Sequence, residues 1–269
     1  MKKKNFKIIA ISGFKGSGKD TLAKLVKEAY EKAEWTQDKP IEKFPQPYVM
    51  IHSMAQPIRN VVKDIFHIKE TSYVDKEKPL DKWSKRLGKE VSYRDLVNMI
   101  GESIKDTVSD KVWVYNAKDA LNIFREFVDE KSTVRRIGSE PYGVFIIPDI
   151  RYQCEQKMLK QLKKKGYDVE YWIIFKKSAL PEWVRKGLDV TVPEDVEIIK
   201  KDFQPSKHES EWCFSNPTFD RVFYNDSTIE ELNQKVITCV ESDLRNFNDR
   251  INNKETNMKF LKGNYNNHD

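Results

Sequence analysis

The run from Ile8 to Thr21 constrains the fold of this chain more than any other part of the sequence. It reads IIAISGFKGSGKDT, with Gly-x-x-x-x-Gly-Lys directly after a short apolar strand and directly before a helical pattern. Glycines at such a turn let successive backbone N–H groups point inward around a phosphate, and the following helix adds its positive dipole end. The run therefore predicts a phosphate-binding loop and, with it, a nucleoside triphosphate ligand.

The exact residues of this loop limit the classes of nucleotide-binding protein to which the chain could belong. After Lys19, which would place its charge on the β- and γ-phosphates, the usual Ser or Thr is replaced by Asp20, and Thr21 follows. Since Mg²⁺ prefers oxygen ligands and keeps several waters, both residues are candidate metal ligands. No guanine-specific Asn-Lys-x-Asp or Thr-Lys-x-Asp run follows, which disfavours a switch GTPase and favours a small-molecule kinase. The nucleotide is assigned to the loop residues Gly13, Gly16, Ser17, Gly18, Lys19, Asp20 and Thr21.

Length and charge set limits on the kind of molecule. A chain of 269 residues with 39% hydrophobic and 33% charged residues suits one generous α/β domain with a solvated surface. The net charge of +6 would suit an anionic partner. Because the basic residues are interleaved with Asp and Glu along the chain, solvated helix faces are favoured over a nucleic-acid-binding stripe.

The cysteines and the N-terminus bear on the compartment. Cys154, Cys213 and Cys239 are too few and too scattered for a disulfide framework or a zinc site. The basic start followed by Ile8–Ile11 resembles a signal peptide, but its apolar stretch is too short and runs straight into the glycine-rich loop. No apolar run approaches the roughly 20 residues of a membrane span. We expect a cytoplasmic protein with no membrane partner.

Apolar segments of strand length alternate with helical patterns along the chain. Five such strands are predicted, at Ile8–Ile11, Tyr48–Ile51, Val144–Ile147, Tyr171–Phe175 and Val222–Tyr224. Most are continuously apolar, as expected of strands covered on both faces. Helical stripes begin at Leu22, Leu96, Leu159 and Ile229. This alternation predicts an α/β fold with a mostly parallel sheet and helices on both faces.

Three stretches depart from that rhythm. Residues 69–92 and 177–207 are rich in charged residues or proline, and we interpret them as mobile arms that close over a substrate. Residues 246–269 form an Asn-rich tail that we expect to be partly disordered or laid on the surface. The domain itself is predicted to span residues 1–245.

Five motifs in order carry a family resemblance. They are GFKGSGKDT from Gly13, MAQPIR from Met54, YRDLVNMIGE from Tyr93, IIPDIRYQCE from Ile146 and HESE from His208. In these motifs the chain resembles the bacteriophage deoxynucleoside monophosphate kinases, across roughly residues 6–245. These are P-loop kinases similar to adenylate and phosphomevalonate kinases, and the resemblance implies a P-loop NTPase-like three-layer sandwich.

The resemblance also implies roles for individual residues. Catalysis would fall to Lys15, Lys19 and Arg151, with ATP and Mg²⁺ as cofactors. The acceptor, a deoxynucleoside monophosphate, would contact Lys15, Ile58, Arg59, Arg94, Gly101, Glu102, Trp113, Asp149, Arg151 and Glu155. A homodimer is one option that the resemblance leaves open, and the compartment would be the host cytoplasm if the chain is phage-encoded.

Asp149 and Arg151 can also be placed without the resemblance. They follow a buried strand, at the carboxyl edge of the sheet where ligands bind in open α/β folds. The functional interpretation is an Arg that neutralises the transferring phosphoryl group. The structural alternative is an Asp–Arg pair that caps the next helix.

Three reactions remain open at this point. A nucleoside monophosphate carries close to two negative charges, so it needs no general base, and Lys and Arg residues suffice. Another small-molecule kinase, either phosphomevalonate-type or hydroxyl-directed, stays an alternative, and Asp20 and Asp149 offer the carboxylate that a hydroxyl acceptor would need. A nucleic-acid-binding ATPase is less favoured, because the strand ends Pro148-Asp149-Ile150 without an adjacent Glu to activate water.

Overall fold

The fold is built on a short, central parallel sheet. The computed structural model describes residues 5–33, 47–68, 75–134, 142–180, 182–188, 193–202 and 219–265. Its strands are β1 (Phe6–Ser12), β2 (Tyr48–Ile51), β3 (Gly143–Ile147), β4 (Asp168–Phe175) and β5 (Arg221–Tyr224). All pair in parallel, in the order β2-β3-β1-β4-β5. Each of the five predicted strands is present.

Helices connect these strands. In the described part of the chain they are α1 (Lys19–Lys32), α2 (Gln56–Phe66), α3 (Asp81–Leu87), α4 (Tyr93–Thr107), α5 (Val112–Val134), α6 (Gln153–Lys164), α7 (Glu182–Arg185), α8 (Pro193–Asp202) and α9 (Ile229–Tyr265). None of the described helices is both long and apolar enough to cross a bilayer.

The sheet is covered on both faces. Ile8 and Ala10 of β1 point to a core formed with α5 and α6, whereas Ile9 and Ile11 point to a core formed with α1 and α9. Successive side chains of a strand alternate between faces, so a strand buried on both sides must be apolar throughout, and β1 is fully buried. The predicted three-layer α/β class, P-loop NTPase-like, is confirmed.

The order of the strands creates a crevice. β1 continues into α1 on one face of the sheet, while its neighbour β3 continues into α6 on the other. Two adjacent strands whose connections leave on opposite faces form a switch point, and ligands bind outside the carboxyl ends of such strands. The glycine-rich loop follows β1 and residues 148–152 follow β3, so both reach this crevice.

The arms and the tail differ in detail from the expectation. Residues 75–92 contain a 3₁₀ turn at Asp75–Glu77 and helix α3, whose Trp83 ring packs edge-on against Phe66 with centroids 4.8 Å apart. Helix α9 continues to Tyr265, so the boundary placed at residue 246 falls inside a helix, and Phe247 is buried against Tyr142. The mobility of the arms stays a prediction.

Candidate functional site

A cavity of about 550 Å³ opens at the crevice between β1 and β3. It brings together most of the residues that the sequence singled out. Those that line it are Lys15, Gly16, Gly18, Lys19, Asp20, Thr21, Ile58, Arg59, Arg94, Gly101, Glu102, Trp113, Asp149, Arg151 and Glu155. Gly13 and Ser17 lie in the loop beneath, where Ser17 is fully buried.

The glycine-rich loop has the backbone that its sequence predicts. Gly16 and Gly18 adopt left-handed φ values of 78° and 101°, which L side chains rarely tolerate. The carbonyl of Gly18 accepts the N–H of Leu22 at 2.8 Å, which starts α1 at the cavity wall. The ammonium of Lys19 lies over the loop and donates to the carbonyls of Gly13 (2.7 Å) and Phe14 (2.9 Å). The backbone therefore forms a tight loop, and the positively charged ammonium of Lys19 lies over it.

Asn225 supports this loop from the end of β5. Its Nδ2 donates to the carbonyl of Ser17 at 3.0 Å, and its own N–H donates to Phe175 at 2.7 Å. A Cβ at Gly18 would lie only 2.6 Å from that Nδ2, so the glycine lets the amide approach closely. The Gly13–Thr21 motif predicts the loop but not this support, because Asn225 lies outside the motif, just after the last apolar strand.

Cations of the loop and of α4 meet at one carboxylate. Lys15 Nζ lies 3.0 Å from Glu77 Oε1, and Arg94 Nε lies 2.6 Å from the same oxygen. Arg59 of α2 and Arg151 after β3 line the same cavity. With Lys76 and Lys105, six cationic side chains besides Lys19 thus border a single space, and together they can neutralise a highly anionic ligand.

Asp149 does not cap the helix that follows it. Its Oδ2 accepts from Ser53 Oγ at 3.1 Å, and its Oδ1 accepts from the Met54 N–H at 3.2 Å. These bonds join the end of β3 to the turn that precedes α2. Asp149 therefore fixes the position of α2, which carries Ile58 and Arg59 into the cavity.

Glu155 caps α6 instead. Its Oε2 accepts the N–H groups of Arg151 (2.6 Å) and Tyr152 (2.9 Å), as a carboxylate in the first turn of a helix can. Burial raises the pKa of Glu155 to about 7, although the two backbone N–H groups oppose that shift. The resemblance assigned Glu155 to the acceptor, and the structure places it as the anchor of the Arg151 backbone at the cavity wall.

One wall of the cavity is apolar and aromatic. It is formed by Met54, Ile58, Tyr93, Val97, Trp113 and Tyr152. Gly101 lets α4 and α2 approach, since a Cβ there would lie 3.0 Å from Ile58 Cδ1. Lys105, one turn beyond Gly101, lies 4.1 Å above the ring of Tyr152. A flat, partly apolar ligand fits such a wall better than a small polar one does.

Few side chains near the glycine-rich loop could bind the predicted Mg²⁺ ion. Among the described residues, no group of three or more His, Cys, Asp or Glu side chains could hold a metal ion. Asp20, Thr21 and Asp149 nevertheless all line the cavity beside the loop. Mg²⁺ is commonly bound by one or two carboxylates together with substrate phosphates and waters, and this sparse oxygen set fits that pattern.

Some predicted features fall elsewhere. The His208–Glu211 motif lies outside the described residues. Cys154 and Cys239 are free thiols, and Cys213 lies outside the described residues.

Comparison with known proteins gives distant likenesses. No protein-family model matches the chain. No curated protein matches it. Among solved structures, the Mycobacterium tuberculosis APS kinase CysC, in complex with AMPPNP and APS, matches at 13% identity, covering 88% of this chain and 99% of that chain, with a TM-score of 0.36. A Chloroflexus aurantiacus protein with a provisional kinase assignment matches at 12% identity, covering 90% and 98%, with a TM-score of 0.38. Likenesses this distant carry no conclusion about the chemistry of the site.

Proposed function

We propose that this chain transfers the γ-phosphate of ATP to the phosphate of a deoxynucleoside 5′-monophosphate, yielding the diphosphate. The observation that carries the proposal is the convergence of two kinds of phosphate ligand on one cavity. The glycine-rich loop with Lys19 forms one end, while Lys15, Arg59, Arg94 and Arg151 surround the rest. ATP and a nucleoside monophosphate are both anionic, so a site that binds them side by side needs several positively charged side chains.

The chemistry requires positioning more than proton transfer. A monophosphate with a second pKa near ~6 is largely dianionic at neutral pH and can attack the γ-phosphorus without a base. The protein must then align the two phosphates and neutralise the charge that develops between them. Lys19 and Arg151 would act on the migrating group, and Arg59 and Arg94 would hold the acceptor.

Asp20 and Thr21 would hold Mg²⁺ at the start of α1, with Asp149 close by on the cavity wall. When bound, the ion would neutralise part of the negative charge of the triphosphate.

The apolar wall suggests where the acceptor base would lie. Ile58, Val97 and Trp113 border the part of the cavity between α2 and α4. A base stacked there would leave its phosphate directed to Arg94 at the start of α4. The proposal thus accounts for an aromatic and a cationic region in the same cavity.

A hydroxyl-directed kinase is the second candidate. It would need a carboxylate base, and Asp149 and Glu155 line the cavity together with Asp20, which is already assigned to Mg²⁺. Both oxygens of Asp149 already accept hydrogen bonds, and Glu155 Oε2 accepts two. These commitments to backbone and Ser53 weigh against a role in removing a substrate proton.

An acceptor survey tests the proposal. Release of ADP should be followed across the common deoxynucleoside and ribonucleoside monophosphates, with nucleosides and simple alcohols as the hydroxyl acceptors. We expect turnover with at least one deoxynucleoside monophosphate and none with the hydroxyl acceptors. Turnover confined to hydroxyl acceptors would establish the second candidate instead.

Arginine variants locate the acceptor. Charge-assisted hydrogen bonds contribute about 1.5–3 kcal/mol, so Arg59→Ala and Arg94→Ala should each raise the KM for the acceptor by roughly tenfold or more. The KM for ATP should stay within about twofold of the wild-type value, because these two arginines are assigned to the acceptor and not to ATP. Equal losses for both nucleotides would place these arginines on the wrong ligand.

A further inference from the structure

Glu77 holds two of the cations that border the cavity. One of its oxygens, Oε1, lies 3.0 Å from Lys15 Nζ and 2.6 Å from Arg94 Nε. Lys15 belongs to the glycine-rich loop, and Arg94 belongs to the first turn of α4. A single carboxylate oxygen therefore joins two elements that come from distant parts of the chain.

The local backbone keeps Glu77 in this place. It ends a 3₁₀ turn, and the chain then pairs with the start of α4 through an antiparallel bridge between Pro79 and Ser92. The Leu80 N–H donates to Val91 at 2.8 Å within the same pairing. Ser92 and Asp95 form a capping box that starts α4. The distance between Glu77 and Arg94 is thus set by pairing of the backbone and not only by the ion pair.

The chemistry of this contact is that of a phosphate oxygen. A phosphate oxygen that is bound by an ammonium and a guanidinium is negatively charged, as Glu77 Oε1 is, and lies at similar N···O distances from the two cations. We propose that Glu77 is an internal substitute for the acceptor phosphate, which holds Lys15 and Arg94 in the free protein and is displaced when a dianionic acceptor enters. This inference rests on the proposed function, because it takes Lys15 and Arg94 as ligands of the acceptor phosphate.

The exposure of the three side chains makes displacement feasible. Lys15 and Glu77 are each 44% exposed, and Arg94 is 23% exposed although its Nε atom is buried, so the shared carboxylate and the ammonium are in contact with solvent. Such pairs are weak compared with buried ones. A dianion that gains both cations can displace a monoanion, whereas a neutral hydroxyl cannot. Glu77 would therefore favour acceptors that carry a full phosphate charge.

The test compares two Glu→Gln variants in the same segment. Glu77→Gln removes the competing charge and keeps the size of the side chain. Glu90→Gln removes the same charge from an exposed position in the loop after α3. In the acceptor assay, Glu77→Gln should lower the KM for the deoxynucleoside monophosphate by about fivefold, a size typical of an exposed ion pair, with kcat and the KM for ATP within about twofold. Glu90→Gln should match the wild type.

A second measurement separates this inference from the proposed function. With the glycine-rich loop filled by Mg²⁺ and a non-hydrolysable ATP analogue, inorganic phosphate is titrated by calorimetry. Glu77→Gln should bind phosphate about fivefold more tightly than the wild type, and adding Arg94→Ala should abolish that gain. This result would support the inference about Glu77 even if the protein turns over no monophosphate. The absence of turnover would refute only the proposed function. Phosphate binding that is unchanged or weaker in Glu77→Gln, in a protein with wild-type circular dichroism, would overturn the inference and leave Glu77 as a support for Arg94.

Discussion

Asn225 shows how a single side chain outside the glycine-rich loop sets the shape of that loop. Its amide donates to the carbonyl of Ser17, and it lies so close to Gly18 that a Cβ there would come within 2.6 Å of it. A loop with two left-handed residues has little intrinsic preference for one conformation, so outside support matters. The α/β sheet supplies that support because β5 ends beside β4, at the same edge as the loop.

We therefore expect Asn225→Ala to weaken nucleotide binding specifically. Losing one hydrogen bond to a backbone carbonyl costs about 1 kcal/mol, which corresponds to roughly fivefold in the dissociation constant for ATP. Titration with a fluorescent ATP analogue would measure it, with the exposed Asn122→Ala on α5 as a matched control. Unchanged affinity in Asn225→Ala would mean that the loop keeps its shape without the amide.

At the scale of the element, the start of α6 combines a helix cap with a buried acid. Glu155 is 3% exposed and holds the backbone of Arg151 and Tyr152. Burial raises its pKa to about 7, so the folded protein keeps the proton over a range in which the unfolded chain has lost it. Stability linked to this group is thus fully present below the ordinary glutamate range and is lost as pH rises to about 7.

Glu155→Gln provides the corresponding measurement. Glutamine can still accept both backbone N–H groups but does not titrate. The free energy of unfolding of the wild type, relative to the variant, should fall between about pH 4.5 and 7 and then level off. Urea denaturation at a series of pH values would show this slope. A difference between the two proteins that rises with pH would mean that the N–H groups, and not burial, dominate the pKa.

Elements differ in how well the sequence predicts them. The strands were found because burial on both faces forces continuous apolar runs, as in β1. Helix α5 is not among the predicted helices, although Val114, Ala117, Leu121, Phe124 and Val128 form a buried helical stripe. Helix α3 buries no side chain, so its charged sequence carried no periodic signal. Its position is set by tertiary contacts such as that of Trp83 with Phe66.

The residues of the candidate site also differ in how well the sequence predicts them. The glycine-rich loop, Arg94 and Arg151 could be predicted because each sits at a recognisable spacing within a motif. Glu77 and Asn225 could not, since their roles depend on the Pro79–Ser92 bridge and on the order of the strands. Sequence spacing reports local geometry, whereas these two residues act across more than 15 positions of chain.

At the scale of the whole molecule, a buried ionic network ties the sheet to the last helix. Lys7 of β1 contacts Glu170 of β4 at 2.6 Å and Asp243 of α9 at 3.0 Å, and Arg221 of β5 contacts both carboxylates. Burial alone would raise the pKa of Glu170, but Lys7 and Arg221 lower it to about 2. Two cations thus balance two carboxylates at the start of β1, roughly 16 Å along the strand from the glycine-rich loop.

Removing one cation should be costly. Lys7→Met leaves the buried Asp243 and the partly buried Glu170 with Arg221 alone, and breaking a buried pair in this way costs about 3–5 kcal/mol of unfolding free energy. Lys32→Met, which removes an exposed ion pair with Glu28, should stay within about 0.5 kcal/mol of the wild type. Urea denaturation of both variants tests the prediction. A loss for Lys7→Met as small as that for Lys32→Met would mean that the network contributes little to the fold.

The fate of the γ-phosphate tests the central claim most directly. ATP carrying radioactive phosphorus at the γ-position is incubated with Mg²⁺, a deoxynucleoside monophosphate and either the wild type or Lys19→Met, and the labelled products are separated. The wild type should place the label in the deoxynucleoside diphosphate, and Lys19→Met should do so about 10²- to 10³-fold more slowly, as for the loss of one preorganised charge. Label that appears only as inorganic phosphate, or equal transfer by folded Lys19→Met, would contradict the account.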